Sequence, residues 1–141
     1  MPRKKMAARH TQKRILSAHS QNIKLRRLFD RTVIEFALSL AEFDSHKWYE
    51  KCNCSSMAAY CRQFFPRDGA STLRYYIQIG YYMAAVGDAV TIDEWAQLGP
   101  TVIRRLVELK ATGDQIRQLI SISGSDPISP HDVEGIINSF S

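Results

Sequence analysis

The sequence predicts an all-α, single-domain, multi-helix bundle, and three observations lead to this fold class. Apolar residues recur at spacings of three and four, the period of a helix with one buried face. Capping residues, prolines and glycines divide the chain into helix-sized segments. No stretch alternates apolar and polar residues for long, and no Asn-Gly or Asp-Gly turn joins two apolar runs, so strands are not expected. A length of 141 residues suits one domain.

The N-terminal third combines a basic arm with a long helix. Residues 1 to about 10 are charged and have little to bury, so we expect disorder there. From Thr11 to Phe43 the apolar spacing predicts one long helix, with Ser20 as a place where it can break. We therefore divide the chain into a basic, flexible arm over residues 1–19 and an all-helical domain over residues 20–141.

Two helices are expected in the middle of the chain, after one or two helical turns in "SHKWYEKC". The first, "SSMAAYCRQFF", has Ser55 or Ser56 as its N-cap and is stopped by Pro66. The second, "STLRYYIQIGYYMAAV", is capped by Ser71 and ends at Gly87.

Four more helices follow, and each has a recognisable start. A capping box from Thr91 to Glu94 opens "TIDEWAQL", and a second box from Thr112 to Gln115 opens "DQIRQLISI". Pro100 suits the first position of "PTVIRRLVELKA". Ser129 caps the last helix, whose first turn contains Pro130. The segments "VIRRLVELK" and "VEGIINSF" are candidates for a dimer interface, and they serve equally well as core.

Positive charge is concentrated at the N-terminus. Residues 1–31 hold ten basic residues and one acidic residue, a net charge of +9, whereas the other 110 residues hold nine basic and 13 acidic residues. Such a block indicates an anionic partner, most often nucleic acid, because Lys and Arg release counterions from phosphates. A solvated, disordered tail is the alternative. The expected phosphate contacts are Arg3, Lys4, Lys5, Arg9, Lys13, Arg14, Lys24, Arg26 and Arg27.

Composition also limits the class of protein. No apolar run approaches the roughly 20 residues that span a bilayer, and no apolar segment follows the basic N-terminus as in a secretory signal. Three cysteines, an odd number, argue against a disulfide framework. We therefore expect a cytoplasmic protein with no membrane partner.

The stretch "FFPRDGASTLRYYIQIGYY", residues 64–82, carries more tyrosine than one buried stripe needs. On a helix starting after Ser71, one stripe would face inward, and Tyr76 and Ile77 belong to it. The inward set is Leu73, Tyr76, Ile77, Gly80, Met83 and Ala84. The outward set is Thr72, Arg74, Tyr75, Gln78 and Tyr82.

A short helix, a turn of about five residues and this second helix together have the spacing of a helix-turn-helix, over about residues 55–87. In such units the second helix enters the major groove with its N-terminus first, where Arg and Gln make bidentate contacts to bases. The predicted base-reading residues are Ser71, Thr72, Arg74, Tyr75 and Gln78.

The segment "YCRQFFPRDGASTLRYYIQIG" resembles helix-turn-helix proteins of bacteria, phages and plasmids. In those proteins a short "Y-C" helix precedes a turn and an "S-T-x-R-x-Y-I" recognition helix. The following "LGPTVIRRLVELK" is similar to the helices after the reader helix in plasmid-partition and phage regulators. The resemblance covers roughly residues 46–120 and implies DNA binding through the five residues named above. The turn "FPRDGA" departs from it, being longer and containing proline.

Four side chains could in principle hold zinc: His46, Cys52, Cys54 and Cys61. Cys-x-Cys followed by six residues is not a common finger spacing, and Cys61 lies where a helix would bury a small apolar group. We therefore expect structural cysteines, no metal and no cofactor.

Catalysis is not expected. The sequence has no Gly-rich phosphate loop, no H-E-x-x-H and no G-x-S-x-G motif. Asp132 beside His131 lies in a helix first turn, where acidic groups favour the dipole. Trp48 and Trp95 are expected to anchor the core, because each lies among apolar neighbours.

These patterns lead to one functional expectation and one alternative. The expectation is a nucleoid-associated protein that binds double-stranded DNA sequence-specifically, is not an enzyme, takes no small-molecule substrate, and regulates transcription, replication or partition of a bacterial genome or mobile element. Paired half-sites make a homodimer plausible. The alternative is a protein-interaction adaptor that uses the tyrosine face, with the arm on RNA or an acidic partner.

Overall fold

The computed structural model describes the backbone of residues 2–124 and 126–140 and the side chains of residues 11–124 and 126–140. Within this part of the chain seven α-helices and two short 3₁₀ segments form, no strand is present, and the predicted all-α fold is confirmed. The helices are α1 (Pro2–Ser45), α2 (Met57–Phe64), α3 (Ala70–Val86), α4 (Ile92–Leu98), α5 (Pro100–Glu108), α6 (Gly113–Ser123) and α7 (Pro130–Asn138). The 3₁₀ segments are Trp48–Cys52 and Gly87–Ala89.

Helix α1 is longer than the apolar pattern predicts and has no break at Ser20. Its 44 residues correspond to a rod of about 66 Å. Only the second half is packed, with Val33, Ile34 and Ala37 buried, whereas every side chain from Thr11 to Phe29 is exposed. α1 therefore projects from the helical body through the segment predicted to be a basic arm. The flexibility of residues 1–19 stays a prediction.

Most helix starts are as the local sequence signals predict. Thr91 and Thr112 form complete capping boxes, and Ser56 and Ser129 accept hydrogen bonds from backbone N–H groups as N-caps. The predicted cap of α3 is wrong. That helix starts at Ala70 with Gly69 in the N-cap position, which places Ser71 inside the first turn.

The main core lies between α1 and α3 on one side and α4 to α7 on the other. Its largest fully buried side chains are Ile34, Ile79, Ile103, Leu106, Ile116, Leu119 and Val133. The segments that were also candidates for a dimer interface, in α5 and α7, contribute their apolar residues to this core. Trp95 is 2% exposed and anchors the core as expected.

A second, smaller core lies beneath α2. Leu40 of α1, Met57 and Cys61 of α2 and Leu73 of α3 are its buried members. Aromatic rings surround them, and Phe36 meets Phe65 edge-on at 5.3 Å between ring centroids. Trp48 was expected in a core and is instead 41% exposed, stacked on His46 at 4.7 Å. The prediction for Trp48 is wrong, and Trp48 directly follows Lys47, a left-handed residue with positive φ that comes after the end of α1.

Helices α1 and α3 approach each other closely at Gly80. A Cβ atom on Gly80 would lie 2.8 Å from the Cβ of Ala41 and closer still to the carbonyl oxygen of Ala37. Glycine is therefore required there by space rather than by φ. Among the described residues no helix has the length and apolar character needed to cross a membrane.

Candidate nucleic-acid interface

Helix α3 is buried on two sides and exposed along one stripe. Gly80 and Leu73 face α1 and α2, whereas Ile79 and Met83 face the main core. The remaining stripe is open to solvent and contains Ser71, Arg74, Gln78 and Tyr81 at helical spacing. Three of the five predicted base-reading residues therefore share one exposed stripe. Thr72 is exposed too, but it points to another side of the first turn.

Tyr75 was predicted to face outward, but its side chain is half-buried between helices. Its ring packs against the main core, and its hydroxyl donates to the carbonyl oxygen of Pro100. The Arg104 guanidinium lies over the ring, 5.0 Å from its centroid. Burial raises the pKa of the Tyr75 hydroxyl to about 12. The expected orientation is wrong because α5 covers this side of α3, so Tyr75 joins two helices.

Tyr82 repeats this arrangement about two helical turns further along the same side of α3. It was also expected to face outward, and its hydroxyl instead donates to the carbonyl oxygen of Ala111 over 2.6 Å. Burial raises its pKa to about 12. The inward prediction for Tyr76 and Ile77 is confirmed, since both pack on the second core. Ala84, expected inward, is exposed.

Helix α3 has a second apolar stripe, where the predicted pattern had a single buried face. Tyr75, Ile79, Tyr82 and Val86 recur at spacings of four, three and four, and all pack on the main core. That spacing was visible in the sequence, and it indicates a helix with neighbours on two sides. The tyrosines of "RYYIQIGYY" are thus mainly structural.

Tyr81 is the one exposed tyrosine of α3, and it is held by α1. Its hydroxyl donates to Asp44 Oδ2 at 2.5 Å. This hydrogen bond, more than burial, raises the pKa of Tyr81 to about 12. The bond fixes the C-terminal half of the exposed stripe against the end of α1.

Helices α2 and α3 are adjacent, with residues 65–69 between them. Met57 and Cys61 of α2 pack with Leu73 of α3, so the two helices share a buried contact. Between them and the end of α1 lies an open groove of about 580 Å³ with a mostly apolar lining, and Arg62 and Arg74 are among the residues that line it.

The cations of this region have no acidic partners. Within the described residues, the exposed Arg62, Arg67 and Arg74 take part in no ion pair or hydrogen bond. The C-terminal helices differ, because every arginine there is paired. Arg104 and Arg105 contact Glu108, Arg105 also contacts Glu134, and Arg117 contacts Glu94.

The projecting half of α1 also carries unpaired cations. Lys13, Arg14, Lys24 and Arg27 are exposed and form no ion pair with any described residue. Arg26 is the exception, with its Nε 3.1 Å from Asp30 and its guanidinium over the Phe29 ring. The other predicted phosphate contacts, Arg3, Lys4, Lys5 and Arg9, lie outside the described side chains.

The N-terminus of α5 contacts both α3 and the point where α1 leaves the body. Tyr75 donates to Pro100, while Arg26 and Asp30 line a small depression together with Pro100. α1 therefore leaves the body beside the N-terminal half of α3. This juxtaposition is not predictable from the sequence, because it depends on the packing of α5 against both helices.

The cysteines and histidines with described side chains do not form a metal site. Cys52, Cys54 and Cys61 are free thiols, and Cys54 donates from Sγ to Gln63 Oε1 over 3.5 Å. Burial raises the pKa of the Cys61 thiol, and this residue fills a core position as predicted. Among residues with described side chains, no three His, Cys, Asp or Glu groups lie together in a way that could hold a metal ion.

Comparison of this chain with protein-family models, with curated proteins and with solved structures finds no match. The resemblance to helix-turn-helix proteins stays a prediction.

Proposed function

We propose that this protein binds double-stranded DNA through two elements, the projecting half of α1 and the exposed stripe of α3. The observation that carries the proposal is the distribution of unpaired cations. Among residues with described side chains, the unpaired arginines lie on α1 and on the α2–α3 segment, whereas the arginines of α5 and α6 are neutralised by carboxylates. Cations without internal partners are available for phosphates, and binding gains from the counterions that they release.

In this proposal α1 supplies contacts that do not depend on sequence. Lys13, Arg14, Lys24 and Arg27 lie along a rod that extends away from the body. A rigid helix holds such groups at fixed spacings, so they position the protein on the backbone of the duplex.

The stripe of α3 supplies sequence reading. Arg74 and Gln78 are one helical turn apart and exposed, and these side-chain types make bidentate contacts to G and A. Ser71 and Thr72 lie in the first turn, where free backbone N–H groups suit a phosphate. Tyr75 then acts indirectly, because its bond to Pro100 holds the reading helix against α5.

The resemblance extends the proposal to a regulator of transcription, replication or partition that works on the nucleoid in the cytoplasm. Exposed apolar side chains on α1 and the apolar groove beside α2 favour the second candidate, a protein-interaction adaptor.

Selection of bound sequences from a random duplex pool, followed by titration of the selected and a scrambled duplex, separates the two candidates. Arg74→Ala and Gln78→Ala should each cost roughly 1–3 kcal/mol of specific binding and relax one base position. Gln118→Ala is the matched control, since Gln118 is also an exposed glutamine, on α6. If the parent protein enriches no sequence and binds no duplex at low salt, DNA binding is ruled out and the adaptor is favoured.

A further inference from the structure

The projecting half of α1 carries apolar side chains that the body leaves uncovered. Six large ones are between 44% and 64% exposed: Ile15, Leu16, Ile23, Leu25, Leu28 and Phe29. Scattered exposed apolar residues are ordinary, but six within 15 positions of one solvent-exposed helix form an unusual surface. Phosphate contacts do not account for them, since they carry no charge or donor.

Part of this surface has the spacing of a coiled-coil seam. Ile15, Ala18, Asn22, Leu25 and Phe29 are separated by three, four, three and four residues, which is the a-and-d pattern of the heptad repeat. The next a position, Phe36, packs on the second core. The seam therefore ends where the body begins, and it is open only along the projecting segment.

Asn22 occupies an a position in the middle of this seam. A single buried Asn at an a position specifies register in two-stranded coiled coils, because the two amides hydrogen-bond to each other. That pairing requires parallel helices in register. In an antiparallel pair an a position faces a d position, so Asn22 would meet Ala18 or Leu25 and lose its partner.

Charges around the seam are compatible with two identical helices. In a parallel pair Arg14 would lie across from His19, and Gln21 across from Arg26, so no two Lys or Arg residues are placed opposite each other at these flanking positions. Lys13, Lys24 and Arg27 occupy outer positions, away from the seam. An acidic partner would be expected to face a basic seam, and this seam is apolar.

The available area suits a weak association. At about half exposure each large apolar side chain contributes on the order of 100 Å², so the seam with its flanking residues offers roughly 500 Å² per copy. That lies at the small end of specific interfaces. The cost of helix formation is already met within each chain, because α1 is anchored in the body by Ile34 and Ala37.

We propose that residues 15–29 of α1 form a parallel two-stranded coiled coil with the same segment of a second copy of this chain. Ile15, Ala18, Leu25 and Phe29 pack in the seam and the two Asn22 amides pair. Leu16 and Ile23 stay outside the seam. This inference does not rest on DNA binding, and it leaves Lys13, Lys24 and Arg27 on the outer surface of the pair.

Sedimentation equilibrium of the full chain, without DNA, tests the proposal. The average mass should rise from 16.1 kDa towards twice that value as the concentration passes through roughly 10–100 μM. Leu25→Glu should weaken association at least tenfold. Leu16→Glu is the matched control, with the same residue types on the same exposed helix, and it should leave association unchanged. Circular dichroism checks that both variants retain their helicity.

Orientation is tested separately by Ile15→Cys in a Cys52→Ser background, since Cys54 and Cys61 are buried. Mild oxidation should link two chains through position 15 only if the helices are parallel and in register. Three results would each overturn the proposal. The parent protein could stay monomeric above about 100 μM, or both glutamate variants could lose association equally. The third such result is association of the chains without this cross-link.

Discussion

Gly80 determines how closely α1 and α3 pack. Because the obstacle to a side chain is the backbone of Ala37, Gly80→Ala forces the two helices apart and should destabilise the fold by about 3 kcal/mol. Gly135→Ala in α7 is the matched control. Apart from the backbone of its own helix and its chain neighbours, no described atom lies within 4 Å of the added Cβ, so this change should stabilise by about 0.5–1 kcal/mol through higher helix propensity. Chemical denaturation of both variants and the parent measures the difference.

A result in which both glycine variants move the free energy of unfolding in the same direction would contradict this account of the α1–α3 contact. The sequence predicted that Gly80 lies on the buried side of α3. It did not predict that this position requires a residue without a side chain. That requirement depends on the distance between two helices that are about 40 residues apart in the chain.

At the scale of single helices, one N-cap side chain should contribute measurably to the free energy of unfolding. Thr112→Ala removes the side-chain acceptor of the Gln115 N–H group and should cost about 1 kcal/mol. Thr101→Ala is the control, because Thr101 is an exposed residue in the first turn of α5 with no side-chain hydrogen bond to a described residue. Thermal melts of the two variants should separate clearly. Equal melting temperatures would mean that the capping box of α6 contributes nothing.

The capping boxes also show which features of a helix can be predicted from sequence. The side chains of Thr91 and Thr112 each accept a hydrogen bond from the backbone N–H group three residues later. The local sequence alone is therefore enough to predict where these two helices begin. Which face of a helix is buried is harder to predict, because it depends on residues that are far away in the sequence. The outward prediction for Tyr75 was wrong because α5 covers it, and Trp48, which follows the left-handed residue Lys47, lies outside the core. Arg74 and Gln78 were placed correctly, since their polarity suits the one uncovered stripe.

Across the molecule, the ion pairs between described residues lie on α1 from Arg26 onwards and on helices α4 to α7. Carboxylates in the body pair with the arginines of α5 and α6, and Arg31 of α1 pairs with Asp93 over 2.6 Å. Cations on the projecting half of α1 remain largely unpaired within the described part of the chain. The block of charge was evident from the sequence. From Lys13 to Arg31 the long helix was predicted as well, whereas its continuation N-terminal of Thr11 was not, because residues 1 to about 10 were expected to be disordered.

This arrangement predicts that the position of a charge matters more than net charge for duplex binding. Lys24→Gln with Arg27→Gln removes two cations from α1, and if both contact phosphates the slope of log affinity against log salt should fall by about 1.8. Affinity should fall by similar factors for selected and scrambled duplexes, because phosphates carry no sequence information. Lys51→Gln with Lys110→Gln is the control, removing the same charge from exposed sites on the body. If both double variants lower the salt slope equally, long-range attraction to net charge explains the binding, and α1 is not the contacting element.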